Sequence, residues 1–203
     1  MIFIEKHIQE AMNDSIVEEA TKYYGIKMED ISKLGGFENF IYEYKKDDCD
    51  YILRFVHSKH REYNQVLAEL EFIDYLDHNG ASVSTVVHSI YDNLVEKIKL
   101  KDSNYFTICA FTRAPGGKVQ KEDLTDEFFI MFGEEVGKLH RLTKNYVPKH
   151  KRYEWYEENF IKIGKDNLEE KDNIIIFKNK KKDINFLNVL FTPIVNAGVL
   201  DNI

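Results

Sequence analysis

The stretch Leu34–Tyr44, LGGFENFIYEY, followed shortly by YILRF at Tyr51–Phe55, decides how this chain is read. Gly35 and Gly36 separate one strand-like run from the next, and Arg54 then interrupts the apolar run of Ile52, Leu53, Phe55 and Val56. Glycine admits positive φ and lets a ligand come close to main-chain N–H groups, so the pattern fits a phosphate cradle. It also fits an ordinary Gly-Gly hairpin in which Arg54 snorkels outward from an edge strand.

Arg54 separates the two readings. A cation inside a central strand is costly to bury unless a carboxylate meets it. The next segment, 62–79, has helical periodicity, with Val66, Leu67, Leu70, Ile73 and Leu76 on one side and Gly80 as terminator. At about 100° per residue Glu69 falls between Ile73 and Leu76, roughly 60° from the centre of the apolar face. Glu62 and Asp74 also lie near that arc, whereas Glu71 lies outside it. Spacing narrows the partner without fixing it, and Glu69 is the preferred choice.

Working outward, Ser15-Ile16-Val17-Glu18 matches a capping box and Gly25 a C-terminal stop, predicting a helix in residues 1–25. Strands are expected over 28–34, 40–45 and 51–56 as an antiparallel meander, with KDDCD as the second turn. After the helix, strands are expected at 85–90, 94–100 and 105–112. Arg113-Ala114-Pro115-Gly116-Gly117 punctuates the chain, and a core helix is expected over 125–142, where Gly133 and Gly137 permit close approach of another helix. The expectation is an α+β lobe over 26–113, an antiparallel sheet plus one helix, followed by a partial helical lobe over 114–203.

The 203 residues are 43% apolar and 31% charged, enough to bury a core. The net charge of −7 argues against a nucleic-acid partner, and the short basic run Lys178–Lys182 reads as a solvated helix face. No run approaches a membrane span, and MIFIEKHIQE is broken by charge, so neither membrane insertion nor secretion is expected and the expected location is cytoplasmic. Cys49 and Cys109 are isolated thiols, and His57 and His60 form an H-x-x-H without a third ligand in view, so no metal site is assigned to them. His140, at the end of a helix, reads as structural. Tyr153, Trp155 and Tyr156 with Glu154, Glu157 and Glu158 read as a packed aromatic helix edge, the other reading being a pocket for a cationic substrate.

LGGFENFIYEY, YILRF, HSKHR, AELEFIDYLDHNG and EEVGKLHRL, in that order, resemble the aminoglycoside phosphotransferase and choline kinase superfamily, small-molecule kinases of protein-kinase-like fold. The resemblance extends over about residues 26–146. It implies that Gly35, Gly36 and Asn39 belong to the nucleotide loop, that Arg54 holds the place of the phosphate-binding lysine, and that Glu69 is its helix partner. It further implies a hinge at 110–116, with main-chain groups near Thr112 and Ala114 meeting adenine. ATP and Mg are the implied cofactors, and a small polar or amino-bearing alcohol the implied acceptor. Arginine in place of lysine is a departure, because a planar fork is not a point charge.

The family's catalytic loop, H-G-D-x-x-x-x-N, is missing. Its nearest echo is KKDINFLNVLF, where Asp183 and Asn188 have the required spacing but Lys181 and Lys182 replace His and Gly; a helix with chance spacing is the favoured reading. No catalytic residue or metal-binding Asp is therefore assigned. The expectation is a kinase-type phosphotransferase ending before its chemistry, through truncation, with self-association through the surface so exposed as a further possibility. The alternative is a non-catalytic nucleotide-binding or interaction module.

Overall fold

The structure is a computed structural model that describes residues 6–36, 38–117, 119–154 and 157. Among them six strands form one antiparallel sheet: β1 (Ile31–Gly35), β2 (Phe40–Lys46), β3 (Cys49–His57), β4 (Val86–Val87), β5 (Glu96–Lys99) and β6 (Tyr105–Thr112). The order is β1-β2-β3-β6-β4, with β5 also on β6. β4 meets the Ala110–Phe111 end of β6 and β5 its Tyr105–Ile108 end, so the two short strands share one edge. The β2–β3 turn is a two-residue connection in which Asp47 and Asp48 have φ of 50° and 60°, the twist that a tight hairpin needs.

Helices cover both faces. On one, α1 (Lys6–Ala11) and α2 (Asp14–Tyr24) place Ile8, Ile16, Ala20 and Tyr24 against Phe40, Leu53, Phe55, Phe106 and Ile108. The N-terminal segment thus shares the sheet's core, and the Tyr24 hydroxyl donates to the Ile108 carbonyl at 3.3 Å. On the other face α3 (Tyr63–His78) packs Val66, Leu70 and Ile73 against Val56, Val86, Cys109 and Phe111. Each such aliphatic or aromatic side chain contributes about 1.5–3 kcal/mol on full burial. With both faces covered, β3 is buried continuously from Leu53 to His57, which is why its sequence does not alternate.

Several local expectations are corrected. Asn13, not Ser15, caps α2: its side-chain oxygen accepts from the main-chain N–H of Ser15 at 3.0 Å, and Gly25 closes the helix at φ 61°. Met28–Asp30 forms a 3-10 turn, so β1 begins at Ile31. The strand expected over 85–90 shrinks to Val86–Val87 because Ser89 N–H turns back to Asn93 O and Ile90 N–H bonds Tyr23 O. The expected core helix forms as α4 (Asp126–Thr143), but Leu139 is its one buried residue. It packs on Phe72 and Leu76 near its C-terminal end, while Phe129, Ile130, Met131 and Phe132 are exposed among the described residues.

Candidate functional site

Arg54 lies on β3, between β2 and β6, directly opposite Ile41 on one side and Cys109 on the other. A central strand offers no edge from which to snorkel, and Arg54 is 2% exposed. Its Nη1 donates to Oε1 of Glu69 at 2.9 Å, and Glu69 is 3% exposed. The other two candidates are occupied elsewhere: Asp74 meets His78, and Glu62 stands at the N-cap of α3 with its N–H on Gln65. Arg54 Nε donates to Cys109 Sγ at 3.3 Å, and the guanidinium carbon lies 5.2 Å from the centroid of the Phe111 ring.

The electrostatics follow from burial and proximity. Burial disfavours the charge on Arg54, yet the Glu69 carboxylate beside it and the hydrogen bonds to Glu69 and Cys109 outweigh that and raise its pKa. Burial would push the Glu69 carboxyl up, and the Arg54 guanidinium holds it below the ordinary value instead. The Cys109 thiol is pushed up by burial despite Arg54, so it remains protonated. Arg54 Nη2 is buried with no hydrogen-bond partner among the described residues. A buried guanidinium with an unused N–H edge is disfavoured as architecture and suited to an anion.

The glycine hairpin stands beside it. β1 slips register against β2 between Lys33 and Gly35, and Gly35 and Gly36 have φ of 140° and 133°. A Cβ on Gly36 would collide with the Asn39 carbonyl, whereas one on Gly35 would meet nothing. Gly36 is therefore required by close backbone approach as well as by conformation. The His60 Nδ1–H donates to the Glu38 carbonyl at 2.8 Å, tying the β3–α3 loop to the hairpin tip. That tie was invisible in the H-x-x-H spacing. His57 instead turns inward, its Nδ1 accepting from Lys59 N–H at 3.2 Å. Ile41 and Ile52, half-buried on the Arg54 face of β2 and β3, are apolar surface that periodicity within either strand alone did not single out.

At the end of β6 the N–H of Thr112 bonds Thr85 O and that of Arg113 bonds Asp50 O, so both donors belong to the sheet's end. Ala114 is the next residue and is exposed. Arg113 Nη1 also meets Glu43 Oε2 at 2.9 Å, linking β2 to the end of β6. A cavity of about 490 Å³ lies behind the hairpin, between the α1–α2 turn and Lys33, Gly35 and Gly36, on the face opposite Arg54. The candidate site rests on the Arg54 face, where the unsatisfied donor is. Among the described residues no three His, Cys, Asp or Glu are grouped to hold a metal, and no helix is long and apolar enough to cross a membrane. Tyr153 is exposed, while Trp155, Tyr156, Asp183 and Asn188 lie outside the described residues.

The model of the phosphotransferase enzyme family matches residues 30–178, which include the hairpin, the ion pair and the segment after β6. The chain belongs to that family. An amicoumacin kinase of Bacillus subtilis (strain 168) is 30% identical over 98% of this chain. The chain spans 60% of the length of that curated relative. A solved amicoumacin kinase in complex with AMP-PNP, Ca2+ and Ami matches 80% of the chain and 50% of its own, with 31% identity and a TM-score of 0.75. A microcompartment-associated aminopropanol kinase, at 19% identity and TM-score 0.58 over 75% of this chain and 48% of its own, shares the fold. The chain is thus a phosphotransferase-family chain whose antiparallel sheet and flanking helices make a kinase-like α+β lobe.

Proposed function

We propose that this chain carries the nucleotide grip of an ATP-dependent phosphotransferase of the aminoglycoside-kinase type, acting on a hydroxyl of a small polar or amino-bearing substrate. The observation that carries the reading is the buried Arg54–Glu69 pair with Nη2 of Arg54 unsatisfied among the described residues. In this reading Nη2 meets phosphate oxygen, Gly35, Gly36 and Asn39 form the loop over the phosphates, and Ile41 and Ile52 offer apolar surface to the base. Ala114 supplies main-chain contact at the hinge, with Thr112 holding the hinge against the sheet. Bound nucleotide, gripped by Arg54 and the Gly35–Gly36 loop, would supply the phosphoryl group, and Mg bound with it would offset phosphate charge. The kinase matches support this reading through a relative bound to AMP-PNP and Ca2+. A cytoplasmic location suits ATP as co-substrate.

The reading concerns phosphate binding; Asp183 and Asn188 are not assigned a role in transfer. Because Arg54 is 2% exposed, admission of a phosphate requires a local opening around it. The test is thermal denaturation of the full chain with and without MgATP. Nucleotide should raise Tm, and Arg54→Ala should remove the shift. A folded parent protein whose Tm does not respond to saturating MgATP overturns the proposal.

A further inference from the structure

We infer that Cys109 is a positioning residue, which fixes the in-plane orientation of the Arg54 guanidinium so that Nη2 is the edge presented to phosphate. The inference rests on the nucleotide reading above and adds to it a residue on β6 that carries no charge.

A guanidinium is a rigid plane with five N–H donors, so its orientation decides which edge faces a ligand. Glu69 takes Nη1 at 2.9 Å. A single contact at Nη1 lets the plane swing about that contact. Cys109 takes Nε at 3.3 Å from the opposite strand, and Phe111, two residues further along β6, lies against the guanidinium. Two anchors on different elements, α3 and β6, together with the ring, leave one orientation. In that orientation Nη2 is the nitrogen without a partner among the described residues.

Cys109 is itself held for this task. It is fully buried, lies directly across from Arg54 in the β3–β6 pairing, and its S–H points to the Arg54 carbonyl at 4.0 Å. With the thiol hydrogen directed to the main chain, a sulfur lone pair is available to Nε. A lysine at position 54 has no donor corresponding to Nε, so the sulfur is a companion specific to arginine. The departure from lysine at this strand position is thereby matched by a feature of the neighbouring strand.

The test compares the affinities of ATP and adenosine by calorimetry for the parent chain, C109A, C109V, C109S and R54A. Losing one weak hydrogen bond to a charged group should lower ATP affinity about 5–10-fold in C109A and C109V, while adenosine binding stays within about twofold. C109S, which restores an acceptor, should keep the parent's ATP-to-adenosine ratio. C109V fills the volume that C109A vacates, so a folding defect in C109A leaves the measurement intact. If ATP and adenosine affinities fall together in C109V, Cys109 is merely a packing residue and the inference fails. It also fails if R54A collapses the ratio while C109V preserves it. If R54A leaves the ratio at the parent's value, the nucleotide reading of Arg54 fails instead.

Discussion

Replacing Glu69 by alanine would leave the Arg54 charge in a dry interior with no counter-ion. The pair is 2.9 Å apart and its side chains are 2% and 3% exposed, so solvent cannot screen the loss. Breaking such a pair from one side costs about 3–5 kcal/mol. That is a large part of the roughly 5–15 kcal/mol that holds a domain folded. The intact pair is nevertheless imperfect, because Nη2, unsatisfied among the described residues, carries a desolvation penalty of about 1–3 kcal/mol. Replacing both partners by apolar residues in R54M/E69L should therefore give a protein as stable as the parent, or more stable by up to about 4 kcal/mol. The assay is urea unfolding followed by far-UV circular dichroism on the parent, E69A, R54M and the double variant, with equal m-values as the check on comparability. If E69A loses less than about 1 kcal/mol, as an exposed pair would, the pair is not buried and the reasoning is refuted. If the double variant is less stable than E69A, the pair is a net stabiliser and its retention needs no functional explanation.

Gly36→Ala should weaken nucleotide binding far more than Gly35→Ala, since both positions have positive φ but only at Gly36 would the added Cβ strike the Asn39 carbonyl. Equal effects in a titration with ATP would remove the case for a cradle shaped by Gly36. His57 is predicted to make the fold acid-sensitive. Burial and the neighbouring His60 lower its pKa below 6.5, with Asp102 opposing. The unfolded chain then binds the proton more readily, so the stability contribution is full above 6.5 and is lost as pH falls through the lowered folded value. Unfolding free energies of the parent and His57→Gln between about pH 7 and pH 5 should show a shallower slope for the variant. Parallel slopes would mean that His57 is accessible and titrates alike in both states.

Much of this lobe is local and therefore legible in one dimension. The β2–β3 hairpin, the α3 periodicity and the Gly25 stop depend on neighbours a few residues away, and their observed limits lie within a residue or two of those the local pattern predicts. The errors have physical causes too. Val86–Val87 is short because its flanking N–H groups bond to Tyr23 and to a local turn, partners that local propensity does not reveal. α4 has the apolar content of a core helix, but content does not say what covers it, and its Phe129–Phe132 stretch is exposed among the described residues.

The sequence by itself determined the kind of lobe, and it identified an arginine that needs an acidic partner on the following helix, because charge in an apolar run and helical phase are properties of the chain alone. It left Glu62, Glu69 and Asp74 in competition. Only the tertiary structure decided for Glu69, by engaging Asp74 with His78 and placing Glu62 at the helix cap. Only the sheet order put Arg54 between β2 and β6, away from any edge, opposite Cys109. The 55 positions separating Arg54 from Cys109 carry no local signal, because their meeting is set by strand register, and register is a property of the assembled sheet.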